Sequence, residues 1–70
     1  MLKEIFKQYQ NANDPYGFMS MSGLEWFCNR TRESEDGSKM YIMETTDDKY
    51  GFTFGEYNGK CEYMYNLHTL

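Results

Sequence analysis

A chain of 70 residues with a formal net charge of −4 has room for one domain and little apolar material to spare. Leu, Ile, Val and Phe together supply only 11 residues, none of them valine, a composition that signals disorder when the net charge is also large. Here the charge is modest, and 13 aromatics with six methionines replace the missing aliphatics, so the composition predicts a single folded domain over residues 1–70 with an aromatic-methionine core.

No charged segment precedes an apolar run, and no apolar stretch approaches the roughly 18 residues of a membrane span. The expectation is an intracellular, cytoplasmic protein without membrane contact. Cys28 and Cys61 are too few for a disulfide framework and have no metal-ligand spacing, which predicts reduced thiols and no metal.

The segment "LKEIFKQYQN" places Leu2, Ile5, Phe6 and Tyr9 on one helical face, and this predicts a first amphipathic helix. "NANDPYG" then reads as a stop, because Asp14 precedes a proline and Gly17 permits a turn. In "MSGLEWFCNRTRE", Ser22 followed three residues later by Glu25 reads as a capping box, with Met21 and Trp26 placed for the accompanying hydrophobic staple. These features predict a second helix beginning at Ser22. Its core stripe carries Leu24, Phe27, Cys28 and Thr31, and its opposite face carries Trp26, Arg30 and Glu33.

"SEDG", Ser34 to Gly37, follows as an acidic loop, and "KMYIMETT", Lys39 to Thr46, reads as a strand. Asn58-Gly59 is a strong signal for a two-residue hairpin turn with Tyr57 opposite Lys60. Strict alternation from that turn puts Tyr50, Phe52, Phe54, Tyr63 and Tyr65 on an aromatic face, and Gly51, Thr53, Gly55 and Tyr57 on a small, polar one. The predicted fold is α+β: two N-terminal helices packed on one face of a three-stranded antiparallel meander, in the order ααβββ.

Catalytic signals are weak. The single histidine, His68, is the third residue from the end of the sequence, and no serine or cysteine has a base nearby in sequence. The acidic pairs Glu35-Asp36 and Asp47-Asp48 lack a calcium-loop pattern, and no phosphate-binding glycine loop occurs. The reading is a non-enzymatic protein with no cofactor. Residues 33–62 carry a net −5, which opposes direct nucleic-acid binding even though aromatic strands can stack bases.

That acidity instead predicts a binding protein, an inhibitor or regulator that masks the basic, nucleic-acid-binding surface of a protein partner. Such a make-up is common among phage and mobile-element proteins directed against host defence, which would place it in a host cytoplasm. The expected contact residues are Trp26, Arg30, Glu33, Glu35, Asp36, Asp47, Asp48, Thr53 and Tyr57. The alternative expectation is a self-associating structural or accessory subunit, such as a homodimer, that packs its surplus rings on copies of itself.

Overall fold

The computed structural model describes all 70 residues. Two helices, α1 (Leu2–Asn11) and α2 (Pro15–Met21), precede four strands: β1 (Trp26–Glu33), β2 (Lys39–Thr45), β3 (Tyr50–Tyr57) and β4 (Lys60–Thr69). The strands form one antiparallel meander in the order β1-β2-β3-β4, and the helices pack on its inner face. The fold is therefore α+β with two helices, as expected, but the sheet has four strands rather than three.

The difference lies between Asp14 and Glu33. Asp14, expected to stop a helix, caps the start of one: its side chain accepts the Gly17 N–H at 3.0 Å, and Pro15 occupies the first turn, where its missing N–H costs nothing. Gly17 sits within α2, with the Asp14 carboxylate and the Tyr9 ring in the space a side chain would need. Ser22 ends α2 instead of starting the next helix, and its hydroxyl donates to the Met19 carbonyl while accepting the Leu24 N–H. With that oxygen committed, no capping box forms, and "WFCNRTRE" runs on as the edge strand β1.

Five side chains form the buried core: Phe6 of α1, Phe18 of α2, Phe52 and Phe54 of β3, and Met64 of β4. Phe6 meets Phe18 edge-on at 4.9 Å, Phe18 meets Phe52 at 5.1 Å, and Trp26 meets Phe52 at 5.1 Å and 88°. Edge-to-face contacts of this kind add about 0.5–1.5 kcal/mol each to the area they bury. Leu2, Ile5 and Tyr9 border this cluster, so the helical face expected of α1 is the one it uses.

Trp26, expected on the polar side of a helix, instead packs on Phe18 and Phe52, and its Nε1 donates to Ser22 Oγ at 2.9 Å. It is half-buried against the core.

The Asn58-Gly59 turn forms, with φ of 52° and 77°, and Tyr57 pairs with Lys60 and Glu56 with Cys61. Beyond that point the register departs from strict alternation. Glu62 is an extra residue, so Tyr63 pairs with Gly55, Met64 with Phe54 and Tyr65 with Thr53. A second irregularity sets Asn66 and Leu67 against Phe52, with Asn66 at φ 65°. A bulge moves every following side chain to the opposite face. Tyr63 and Tyr65, expected in the core, therefore leave it, and Met64 and Leu67 take their places.

Candidate functional site

Both helices lie on one side of the sheet, and its outer face has no second layer. Cross-strand partners share a face, so the pairing defines three rows across it. Arg32, Met40, Gly55 and Tyr63 form one; Arg30, Ile42, Thr53 and Tyr65 the next; Phe27, Glu44, Gly51 and His68 the third. An extra residue at Asn29 in β1 brings Arg30 onto this face, next to Ile42. Tyr57 and Lys60 close the face at the β3–β4 turn.

The β3 column is the floor. Gly51, Thr53 and Gly55 are all buried although no helix covers them. Their cover comes from β4. A Cβ added at Gly55 would fall inside the Tyr63 ring, and one at Gly51 would lie 3.0 Å from the His68 ring. Tyr63 and Tyr65 stand side by side with ring centroids 5.5 Å apart. Partial burial, with Tyr65 and Cys61 beside it, holds the Tyr63 phenol above the usual tyrosine range, so it stays a neutral hydrogen-bond donor.

The result is an open surface on which Phe27, Tyr57, Tyr63 and Tyr65 remain about two-fifths exposed. Both arginines of the chain are here, and Glu44 is the one carboxylate among the residues paired across the face. Glu44 accepts a hydrogen bond from Asn29 at 3.2 Å. Rings, methionine and arginine with few carboxylates is the composition of an interface centre.

The acidic pairs lie off this face, at opposite ends of β2. Glu35 and Asp36 are in the β1–β2 turn, Asp47 and Asp48 in the β2–β3 turn, about 20 Å apart at 3.3 Å per strand residue. Each pair has one committed carboxylate. Asp36 accepts from the Ser38 amide and hydroxyl at 2.9 and 2.7 Å, and Asp47 accepts from the Thr45 hydroxyl and the Lys49 amide. These bonds hold both groups below the usual carboxylate range. Glu35 and Asp48 make no such bond and remain exposed.

Of the contact residues expected from the sequence, Arg30, Thr53 and Tyr57 share the outer face, with Thr53 only 4% exposed in its floor. Trp26 belongs to the inner face, as does Glu33, which pairs with Lys39 at the far end of β1. The helix expected to gather Trp26, Arg30 and Glu33 does not exist, so the three do not form one patch. Arg32, Met40, Ile42, Tyr63 and Tyr65 were not anticipated at the site. Alternation along β1 was the available signal for Arg32, whereas the bulge at Glu62 leaves no mark that periodicity detects.

The thiols and carboxylates form no reactive constellation. Burial pushes the Cys61 thiol up, which disfavours the thiolate, and no three His, Cys, Asp or Glu side chains converge. No helix is long and apolar enough to cross a membrane. Among known proteins, no family model, no curated protein and no solved structure matches the chain.

Proposed function

We propose that the protein is a non-enzymatic binding protein that docks a protein partner on the open face of its sheet and thereby masks part of the partner's basic surface. One observation carries this reading. The face that no helix covers holds Tyr63, Tyr65, Phe27, Met40, Arg30 and Arg32 together, while the free carboxylates stand at its ends.

A partner seated there buries the rings at its centre, offers acceptor oxygens to the two guanidinium forks, and brings its basic flanks to Glu35 and Asp48. Central rings and arginine fix the dissociation rate, and the charged rim speeds encounter. Self-pairing through the same face is disfavoured, because a twofold contact would set four guanidiniums against two carboxylates. Single-stranded nucleic acid could stack on the rings, but its phosphates would meet acidic turns at both ends of the sheet.

The test is kinetic. Reversing Glu35 and Asp48 to lysine is expected to slow association and flatten its salt dependence, since the Debye length falls from about 10 Å at 0.1 M to about 3 Å at 1 M salt. Tyr65→Ala and Arg32→Ala are expected to speed dissociation, each costing about 2 kcal/mol or more in binding. Saturable binding of single-stranded oligonucleotides that is lost in Tyr65→Ala would replace this reading with a nucleic-acid one.

A further inference from the structure

A groove of about 660 Å³ runs between α1 and the last residues of β4, and His68, at the border of the open sheet face, forms part of its lining. That volume lies within the range of small-molecule sites. Leu2 and Phe6 of α1, Tyr50 of β3 and Leu67 of β4 give it apolar walls. At one end Gln10 Nε2 donates to the Met64 carbonyl at 2.6 Å and ties the helix to the strand. The lining then follows β4 without interruption from Asn66 to Thr69, beginning at the positive-φ bulge that redirects the strand.

Lys3 and Lys7 line the groove one helical turn apart. Neither has a carboxylate partner: the one ion pair within 4.0 Å joins the N-terminal ammonium to Glu4, at 3.4 Å. No lysine or arginine side chain of the molecule has a carboxylate within 4.0 Å, so Lys3 and Lys7 are set apart by their place: they are the two ammoniums that line this apolar trough. Residues Leu2 to Gln10 span about 12 Å at 1.5 Å per residue, room for an extended apolar body beside an anionic head.

We propose that this groove binds a small anionic amphiphile, an acyl chain lying along Leu2, Phe6, Tyr50 and Leu67 with its carboxylate or phosphate head held by Lys3 and Lys7. The two parts are complementary in kind. The chain loses water against the apolar walls, and each ammonium gives the head a charge-assisted hydrogen bond. The groove shares only His68 with the open face and none of the rings or arginines proposed for partner docking, so the two assignments are tested by different variants.

Decanoate below its micellisation concentration is the probe, followed by amide chemical shifts in the full chain. Saturable shifts confined to Leu2–Gln10, Tyr50 and Asn66–Thr69 are expected. Affinity should fall roughly tenfold in the Lys3→Gln/Lys7→Gln variant and by a similar factor for decanol, while Lys39→Gln and Tyr65→Ala leave it unchanged. Vesicles of anionic phospholipid distinguish the source of the head group. Decanoate binding without vesicle binding assigns the site to free amphiphiles; vesicle binding that the double variant and decanoate both abolish assigns it to a membrane lipid. Vesicle binding without any decanoate shift overturns the groove in favour of surface charge. Non-saturating or scattered shifts, or equal affinity in the double variant, also overturn the proposal.

Discussion

The Tyr63 ring lies over Gly55, in the space where a side chain at position 55 would stand. The pair is in register only because the extra residue at Glu62 shifts β4 by one position. Gly55→Ala must therefore expel the ring. Since Tyr63 is already 38% exposed, it has room to swing outward, and the expected cost is about 1 kcal/mol, at the low end of the over-packing range. The melting temperature and the Tyr63 ring resonances check this. Partner binding should fall with the ring's displacement even though the fold survives.

Trp26 bridges β1 to the core and to Ser22. Trp26→Ala is expected to destabilise the protein by about 3 kcal/mol or more through lost packing with Phe18 and Phe52. Trp26→Phe should retain most of that packing and cost about 1 kcal/mol for the lost hydrogen bond. Denaturant melts of these two variants with Ser22→Ala give a double-mutant cycle, and a coupling near zero between Trp26→Phe and Ser22→Ala would refute the Nε1 to Oγ bond.

Much of this architecture was legible in sequence where one signal acts alone. The apolar spacing of α1, the apolar run Met40 to Met43 of β2 and the Asn58-Gly59 turn each determine a local structure without competition. Ser22 shows where such reading stops. Its sequence context satisfies both a helix start and a helix end, and the choice rests on whether Phe18 reaches the core, a tertiary fact. Asp14-Pro15 is equally two-sided: it halts α1 and also caps α2. The site suffered most, because a single unpaired residue in β4 exchanges its two faces. Periodicity records which side chains alternate but not where an extra residue interrupts them.

The hairpin turn itself is testable at Gly59, whose φ of 77° is left-handed. Gly59→Val is expected to cost about 1–2 kcal/mol, the penalty for a side chain in that region, with no steric clash added because the space around it is open. An unchanged melting temperature would contradict the turn geometry.

Thr45, only 1% exposed, organises the opposite turn. Its hydroxyl donates to Asp47 and accepts the Lys49 and Tyr50 amides at 3.2 and 3.0 Å. Thr45→Val is expected to cost about 1–3 kcal/mol and to raise amide exchange at Lys49 and Tyr50. The acid limb should change as well. Asp36 and Asp47 are held below their ordinary value of 3.8, so their contribution to stability is present above that pH and lost as the pH falls through their folded values. Carboxyl titration by NMR should show Asp47 moving up toward 3.8 in Thr45→Val, with Asp36 unmoved.

The central claim is that the open sheet face, and not the helical side, receives a different protein. Photoreactive residues placed singly at Met40 and Tyr65 on that face, and at Gln8 and Ala12 on the helical side, test it in the source cell. The account predicts that Met40 and Tyr65 yield adducts with the same second protein, that untagged competitor suppresses them, and that Gln8 and Ala12 yield none. Adducts from Gln8 and Ala12 alone, or adducts from the face that contain only a second copy of this chain, would contradict it.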